Sequence, residues 1–499
     1  MLKPMGHALL DHVRPAHWVN PPAAAGYDLV VLGGGTAGLV SAMGAAGLGA
    51  RVALVERDRL GGDCLNSGCV PSKALLRSAR AVGELRKAAA VGVITGSSRV
   101  DFAWVMRRMR ERRASIAAND SAIRLRNAGV DVFFGDARFV DRRSVVVGGQ
   151  RLRFSRAVIA TGGRPATPSV PGLDAVPFLT NETVFNLTAL PRRLLIVGAG
   201  PIGCELAQAF ARFGSAVTML DQSARVLPRE STDASTIVGR SLAADGVRLE
   251  LGVSLTRVTR EGDAIGLHCR RDETPAAASV ITGDALLVAA GRRPNIEGLD
   301  LEAAGVSVDA HGVVVDDHLR TSNHRVYASG DVCSKFKFTH AADAMSRLVL
   351  QNALFFGRRR ASALVIPWVT YTDPEVAHVG ASEAEVTASG GQLSTITIRL
   401  SDVDRSVVDD ETEGFVAVHH ERGRLRGCTV VAPHAGEIIG EAVYALTHGG
   451  TMSDLSSTIH AYPTVAEALR KAGDAYRRQA LTESRRKWLT RYFEWTRRA

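Results

Sequence analysis

The sequence predicts an α/β protein with two Rossmann-like domains and a C-terminal α+β domain. Three observations lead to this fold class. A chain of 499 residues is too long for a single hydrophobic core. Two apolar strands, 27–32 and 194–197, each run into a glycine-rich turn and then a helix of small residues. From about Ile366 onward the pattern changes to mixed strands and helices.

The first glycine-rich turn follows the strand 27–32, and a second strand, 51–55, ends at Glu56. In a dinucleotide fingerprint the first glycine forms the turn, the second admits the pyrophosphate, and the third lets helix and strand pack. The acidic residue at the end of the second strand holds a ribose hydroxyl. The strands, the helix and Glu56 together predict a dinucleotide site whose three glycines are Gly33, Gly35 and Gly38.

Two cysteines follow Glu56 closely, in the segment 61–73, which reads GGDCLNSGCVPSK. Cys64 and Cys69 are five positions apart, in what reads as a loop entering a helix. A helix N-terminus stabilises a thiolate, and a cysteine pair can accept two electrons as a disulfide and pass them on by exchange. For the spacing alone, two buried structural cysteines are the alternative. A dinucleotide with its ribose at Glu56 extends toward these cysteines, which favours FAD.

The second glycine-rich turn opens after the strand 194–197 and leads to another strand that ends at Asp221. The two units are about 165 residues apart and indicate an internal duplication. Asp221 favours a free ribose 2′-hydroxyl and repels a 2′-phosphate, so NADH is preferred over NADPH. Arg225 and Arg229 leave NADPH as the alternative. The glycines of this second fingerprint are Gly198, Gly200 and Gly203.

The formal net charge of +10 does not indicate a nucleic-acid partner, because no nucleic-acid-binding motif accompanies it. The segment 476–499 holds eight Arg or Lys and two Glu, and so contributes +6. We interpret the arginines of 107–113 as a solvated helix face. Neither a membrane span nor a signal peptide is expected. Six scattered cysteines do not form a secreted disulfide framework and favour a cytoplasmic location.

The segment 61–73 resembles, almost letter for letter, the redox-active disulfide of glutathione reductase, dihydrolipoamide dehydrogenase and mercuric reductase. On this and four further motifs, the chain resembles the class I pyridine nucleotide-disulfide oxidoreductases over residues 26–475. The resemblance implies an FAD-binding domain in two parts (26–165 and 291–360), an NAD(P)-binding domain (166–290) and a dimerisation domain (361–475). The flanking segments are interpreted as an N-terminal extension (1–25) and a basic amphipathic C-terminal helix (476–499).

The resemblance also implies residue roles. Hydride passes from the nicotinamide to FAD, and the flavin reduces Cys64–Cys69; Cys69 becomes the charge-transfer thiolate and Cys64 meets the acceptor. Lys73 pairs with Glu205 beneath the flavin, and a buried lysine does need a counter-charge. The implied FAD-binding residues are Gly33, Gly35, Gly38, Glu56, Gly62, Lys73, Ala137, Thr161, Gly162, Asp331 and Thr339. Those implied for NAD(P) are Gly198, Gly200, Gly203, Asp221 and Gly291.

The sequence departs from the family near its C-terminus. Dihydrolipoamide dehydrogenase and glutathione reductase carry His-Pro-Thr-x-x-Glu there, and in this chain Tyr462 stands at the histidine position and Glu467 at the glutamate. A phenol, with a pKa of about 10, is a poor base but can hydrogen-bond a thiolate. We interpret the nearby His460 as structural; the alternative is that it replaces the missing base. Mercuric reductase also has Tyr here, but its C-terminal cysteine pair and N-terminal C-x-x-C module are absent from this sequence.

We therefore expect a homodimer with shared active sites, in which Cys64, Cys69, Lys73, Glu205, Tyr462 and Glu467 are catalytic. The expected acceptor is a thiophilic metal ion or small oxidant, and no resident metal is expected. One alternative is a dihydrolipoamide dehydrogenase-type dithiol oxidoreductase. Another is a membrane-surface redox partner that reduces a quinone or a membrane protein. For the aromatic and basic tail, packing on its own domain is preferred over membrane contact.

Overall fold

The computed structural model describes residues 7–271, 274–382, 386 and 392–498. Residues 1–6 of the expected N-terminal extension and Ala499 lie outside the described residues. The chain forms two compact units: one comprises the chain up to Arg229 with Leu242–Leu364, and the other comprises Glu230–Ser241 and the chain from Val365 onward. In the described part of the chain, no helix is both long and apolar enough to cross a membrane.

The first unit holds most of the strands. They are β1 (Tyr27–Leu32), β2 (Val52–Glu56), β3 (Val130–Phe134), β4 (Ala137–Asp141), β5 (Ser144–Val147), β6 (Gln150–Ile159), β7 (Gly163–Pro165), β8 (Arg193–Val197), β9 (Ala216–Asp221), β10 (Arg248–Leu251), β11 (Val253–Glu261), β12 (Ala264–Arg271), β13 (Thr274–Gly283), β14 (Ala285–Val288), β15 (Arg292–Pro294), β16 (Val308–Asp309), β17 (Gly312–Val313) and β18 (Val326–Ala328). The helices up to this point are α1 (His7–Val13), α2 (Thr36–Gly47), α3 (Gly62–Asn66), α4 (Cys69–Lys87), α5 (Phe102–Ala117), α6 (Ala122–Asn127), α7 (Pro201–Phe213) and α8 (Thr232–Ala244), with α9 (Thr339–Leu354) after β18. Most of α8 belongs to the second unit.

The first nucleotide-binding sheet has the order β3-β2-β1-β6-β5-β4, and β18 also pairs with β6. Strands β1, β2, β3, β6 and β18 run parallel, whereas β5 is antiparallel to both of its neighbours, β6 and β4. The predicted turn after β1 is confirmed in detail. Gly33 has φ +106°, and a Cβ on it would lie 2.4 Å from the Ala160 carbonyl oxygen. A Cβ on Gly38 would lie 1.8 Å from the Gly33 oxygen, so only glycine allows α2 to approach β1.

The second sheet repeats this construction. Its order is β10-β9-β8-β14 and all four strands are parallel. Gly198 has φ +112°, with its ideal Cβ 2.5 Å from the Ala289 oxygen, and a Cβ on Gly203 would lie 1.9 Å from the Gly198 oxygen. The two turns therefore share one geometry, which confirms the duplication inferred from the sequence. Beside this sheet, β11, β12 and β13 form an antiparallel sheet.

Two predicted helices differ from the structure. The sequence pattern predicts helix over about 102–127, but this segment forms two helices, because Ser121 adopts an extended conformation and caps α6 through its side chain. Cys64 does not lie in a loop but in the short helix α3, and α4 begins at Cys69 itself. The sequence pattern located the cysteine segment but not the helix within it.

The second unit is built on an antiparallel sheet of order β19-β20-β23-β22-β21. Its elements are β19 (Trp368–Thr370), β20 (Glu375–Gly380), β21 (Ser394–Arg399), β22 (Phe415–Glu421), β23 (Arg424–Ala432), α10 (Asp404–Val408), α11 (Ala435–Thr447), α12 (Met452–Ser457), α13 (Glu467–Gln479) and α14 (Glu483–Thr496). Residues of α11, α12 and α13 pack with the sheet in one apolar core. This is the mixed α+β pattern predicted from the sequence.

The terminal helix α14 has no buried residue. Trp488 and Trp495 are 64% and 67% exposed, and the Trp488 ring stacks on Tyr492 at 5.9 Å between centroids. The expectation that these aromatic side chains pack on the chain's own domain is wrong for the described single chain. An aromatic residue every third or fourth position forms one helical face, and here that face points to solvent.

Candidate active site

The two cysteines of the segment 61–73 lie together. The Cys64 thiol, on α3, hydrogen-bonds the sulfur of Cys69, the first residue of α4. The Cys69 sulfur also lies 3.6 Å from the hydroxyl of Thr339, the first residue of α9. Cys64 is half-buried and Cys69 is exposed. The sulfur of Cys69 thus lies between the other thiol and a hydroxyl, at the N-terminus of a 19-residue helix.

The environment divides the two thiols electrostatically. The hydrogen bond from Cys64, with smaller contributions from Thr339 and the Lys73 ammonium, lowers the pKa of Cys69 to about 6. The same hydrogen bond, together with burial, raises the pKa of Cys64 well above its usual range. At neutral pH the reduced pair therefore holds one thiolate, on Cys69, and one thiol, on Cys64.

This division predicts a titration. In a Cys64→Ser variant the serine hydroxyl keeps the hydrogen bond, so we expect the Cys69 thiolate to persist above about pH 6 and to be protonated below it. In Cys64→Ala the main cause of the lowered pKa is lost, and the midpoint moves upward by about one unit or more. Ultraviolet thiolate absorbance measures both. Equal midpoints in the two variants would contradict the role of this hydrogen bond.

Lys73 lies one turn after Cys69 on α4, and its ammonium contacts the Glu205 carboxylate at 2.8 Å. Glu205 lies on α7, in the second nucleotide-binding region, and its side chain is 7% exposed, against 34% for Lys73. The structure therefore contains the ion pair that the resemblance implied. It joins the redox helix to the helix of the second fingerprint.

The arginines of α5 correct one interpretation. They are not all on a solvated face: Arg113 is 1% exposed and donates to the Asn66 carbonyl at 2.8 Å. Arg108 donates to the Ala74 carbonyl at 3.1 Å, and Arg110 to that of Leu187 at 2.9 Å. Burial lowers the pKa of Arg113 to about 10. Arg113 thus anchors α3 and Arg108 anchors α4, a role that a run of charges does not reveal.

At the first dinucleotide site, Glu56 holds the backbone of the glycine-rich turn by hydrogen bonds. Its carboxylate accepts hydrogen bonds from the backbone N–H of Gly34 at 2.6 Å and of Asp58 at 2.7 Å. Burial raises the pKa of this carboxyl. Gly135, two residues before Ala137, donates to the Glu56 carbonyl at 2.9 Å, which places the start of β4 near the same strand end.

The end of α2 that faces this site carries free backbone donors. Gly35 is its N-cap residue, and among the described residues no side chain caps the helix. Gly62 has φ +55°, and a Cβ on it would lie 2.6 Å from the Gly35 Cα, so the redox segment and the turn touch backbone to backbone. FAD needs helix N–H groups as donors to its phosphates, glycines that allow close approach, and a carboxylate at the strand end as an acceptor for its ribose hydroxyls. The first site offers all three.

The second site repeats the arrangement around Asp221. Its carboxylate accepts from the backbone N–H of Ala199 and of Ser223, both at 2.7 Å. A Cβ on Gly200 would meet no atom of the described chain within 4 Å, so this turn leaves open space at the N-terminus of α7. The residues fit a nicotinamide dinucleotide. The Arg225 guanidinium donates to the Pro228 carbonyl at 3.0 Å.

The crossover between the two nucleotide regions is a pair of short strands. β7 and β15 pair antiparallel, and the Thr161 hydroxyl donates to the Asn295 carbonyl at 2.6 Å. The Asn295 amide returns a bond to the Thr161 carbonyl at 2.9 Å. Gly162 and Gly291 have φ +68° and +120°, conformations that favour glycine. The predicted residues of both crossing segments are therefore in direct contact.

Arg292 is a site residue that the sequence analysis missed. Its guanidinium lies 2.8 Å from the Asp63 carboxylate and 3.3 Å from that of Asp331. Asp63 directly precedes Cys64, and burial raises the pKa of Asp331. Arg292 thus joins the redox segment to the predicted flavin-binding Asp331. The available signal was the Gly-Arg-Arg-Pro string at 291–294, which begins at the predicted Gly291.

Tyr462 and Glu467 lie in the second unit. Tyr462 is 70% exposed, and its hydroxyl donates to Asp404 at 3.0 Å, which raises the pKa of the phenol. Glu467 is buried and is ion-paired to Arg470. Within this unit the phenol is available to a ligand, but it is not a base near neutral pH.

His460 has both ring nitrogens engaged. Nε2 lies 2.8 Å from the Glu441 carboxylate, and Nδ1 lies 3.1 Å from the Thr458 carbonyl. The side chain is only 6% exposed. These contacts favour the structural interpretation of His460 over its use as a replacement base. In the described residues no cluster of three or more His, Cys, Asp or Glu side chains could hold a metal ion.

Comparison with known proteins adds the family. The model of the pyridine nucleotide-disulphide oxidoreductases matches residues 27–346, and that of their dimerisation domain matches residues 366–473. The chain is similar to a mercuric reductase of Streptomyces lividans, at 36% identity over 91% of this chain and 97% of the relative. It is also similar to a dihydrolipoyl dehydrogenase of Thermus scotoductus, at 34% identity over 91% and 98%.

A solved structure shares the fold over nearly the whole chain. It is the Cu(II) complex of the HOCl-induced flavoprotein disulfide reductase RclA from Escherichia coli, with a TM-score of 0.79 and 27% identity. The similarity covers 91% of this chain and 100% of that one.

Proposed function

Because the chain belongs to the pyridine nucleotide-disulphide oxidoreductase family, we propose that it carries electrons from NADH to a thiophilic metal ion. The family depends on FAD and a pyridine nucleotide. The observation that carries the choice of acceptor is Tyr462: an exposed phenol stands where a dithiol-oxidising relative needs a histidine base, and His460 is held elsewhere. The resemblance to mercuric reductases supports the same acceptor.

The proposed reaction balances with Hg(II) as the acceptor. NADH gives up a hydride, Hg(II) takes two electrons to become Hg(0), and one proton is released. When bound, FAD would relay the two electrons between the nicotinamide and the disulfide. Gly35 and Glu56 would hold it at one end, and Lys73, Asp331 and Thr339 at the other.

The chain's own residues prepare the cysteine pair for the metal. Cys69 is kept as a thiolate by Cys64, Thr339 and Lys73. Cys64 keeps its proton until a metal ion displaces it, because the metal binds the thiolate form. Two thiolates then hold the ion, as soft metals prefer. No histidine is required, since a metal ion accepts electrons without a proton shuttle.

NADH remains the preferred donor in this proposal. Asp221 would accept hydrogen bonds from the ribose hydroxyls, and its charge would repel the 2′-phosphate of NADPH. The match to the dimerisation domain supports a homodimer. We place Tyr462 and Glu467 of each chain at the cysteine pair of the other, as the family resemblance implies.

Two acceptors separate the proposal from its alternative. We expect the purified flavoprotein to consume NADH anaerobically with Hg(II) in excess thiol, and to turn over lipoamide about 10²-fold more slowly or worse. The reason is that a positioned general base increases the reaction rate by about 10²–10⁴-fold. Tyr462→His should raise lipoamide turnover, whereas Tyr444→His, at another exposed tyrosine of the second unit, should not. Rapid lipoamide turnover by the unaltered chain would reject the proposal in favour of a dihydrolipoamide dehydrogenase-type enzyme.

A second candidate is a membrane-surface redox partner, and the exposed aromatic face of α14 favours it. We expect the full chain to co-sediment with vesicles rich in anionic lipid. A chain ending at Ala480, after α13, should bind about 10³-fold less, because it loses six basic and two acidic residues and each basic residue near the surface contributes about 1 kcal/mol. Trp488→Ser with Trp495→Ser should weaken binding without changing the charge. Trp104→Ser, an exposed residue of α5, serves as the control. Equal pelleting of the full and shortened chains would exclude a membrane role for the tail.

A further inference from the structure

A basic groove lies at the amino ends of the strands of the first nucleotide-binding sheet, whereas the redox pair lies at their carboxyl ends. Two adjoining cavities, of about 780 and 1270 Å³, share Ala25, Arg143, Arg153 and Arg325 in their walls. Tyr27 and Arg325 mark the amino ends of β1 and β18. Nucleotides bind such a sheet at the carboxyl ends of its strands, so this groove belongs to neither dinucleotide site.

The larger cavity is lined by six arginines with little counter-charge: Arg142, Arg143, Arg151, Arg153, Arg156 and Arg325. Among the described residues, the contact of Arg151 with Asp141 is the one salt bridge that these six make. Burial lowers the pKa of Arg325, and repulsion by Arg143 and Arg156 lowers it further. Five arginines therefore line this cavity without a salt bridge to a carboxylate of the described chain, and a bound anion would reduce the repulsion between them.

The chemistry of the walls selects the kind of anion. The aromatic residues that line the two cavities, Tyr27 and Phe154, are buried in the sheet core and offer no face for stacking a base. Guanidinium groups recognise phosphate oxygens through paired hydrogen bonds. Several unpaired arginines distributed along one groove match a ligand that carries several linked phosphates.

We propose that this groove binds a soluble compound with several phosphate groups, of the class of short linear polyphosphates. The site is independent of the proposed electron transfer, because it lies at the amino ends of the strands and not at the carboxyl ends, where the redox pair is. The arginines of the groove account for part of the net positive charge outside the segment 476–499.

Calorimetric titration of the full-length flavoprotein with inorganic tripolyphosphate tests the proposal. Arg153→Ser combined with Arg325→Ser should weaken binding about tenfold or more, since hydrogen bonds between charged groups are lost. The matched control is Arg485→Ser with Arg486→Ser, which removes the same charge from α14. Retained flavin and an unchanged thermal transition show that each variant is folded.

Three results would overturn the proposal: equal affinity in the groove variant and the parent, equal loss in the tail control, or equally tight binding of single inorganic phosphate. Cardiolipin vesicles test a lipid headgroup as the source of the same phosphate chemistry. Random duplex DNA tests a nucleic acid. If either binds through Arg153 and Arg325 and tripolyphosphate does not, the assignment to a soluble ligand is wrong.

Discussion

Replacing Cys69 with Ser is expected to abolish NADH-driven reduction of the metal acceptor, with a loss of about 10³-fold or more. The lowered pKa of Cys69 makes it the thiolate of the pair at neutral pH. A serine hydroxyl can neither form the disulfide nor bind a soft metal as a thiolate does. Binding of both nucleotides should persist, because the fingerprints lie on other elements. Anaerobic NADH consumption with Hg(II) in excess thiol measures the loss.

Cys269→Ser is the matched control for this change. Cys269 is buried on β12, and its sulfur lies 3.6 Å from the Leu267 carbonyl, which a serine hydroxyl can use as an acceptor. The control removes one sulfur and keeps the redox pair, so turnover should stay within about twofold of the parent. If Cys69→Ser retained the parent activity, electrons would not pass through the Cys64–Cys69 pair.

The Lys73–Glu205 ion pair gives the second large effect, because its two members act on Cys69 with opposite sign. Lys73 lowers the pKa of Cys69 and Glu205 raises it. Lys73→Met should therefore raise that pKa by about one unit or more, and Glu205→Gln should lower it. Lys73→Met also leaves a buried carboxylate without its cation. We expect it to lower the free energy of unfolding by about 2 kcal/mol, discounted because Lys73 is one-third exposed.

Thiolate absorbance against pH, in reduced protein, measures these opposite shifts, and chemical denaturation measures the stability. Lys87→Met, at the last residue of α4, changes the same charge on the same helix away from the pair and should move neither quantity. Shifts of the same sign in both variants would show that the pair acts through helix position and not through charge.

Local rules made much of this fold predictable. The turns at Gly33 and Gly198 follow from strand, glycine and helix patterns within about thirty residues, and the structure confirms both. The contact of Lys73 with Glu205 spans 132 residues, and it was expected only because the family resemblance supplied the pairing. Arg113 and Arg292 were missed because their partners, a backbone carbonyl and two distant carboxylates, are set by tertiary packing. A run of arginines in the sequence does not show which of their side chains will be buried.

The carboxylates of Glu56 and Asp221 have one more consequence. Each carboxylate accepts a hydrogen bond from a backbone N–H of the preceding glycine-rich turn. The distance is 2.6 Å from the Gly34 nitrogen to Glu56 and 2.7 Å from the Ala199 nitrogen to Asp221. The phosphate-binding turns are therefore rigid before any nucleotide arrives, and association loses little conformational entropy. A nicotinamide nucleotide can then bind and leave in every catalytic cycle without the turn having to refold each time.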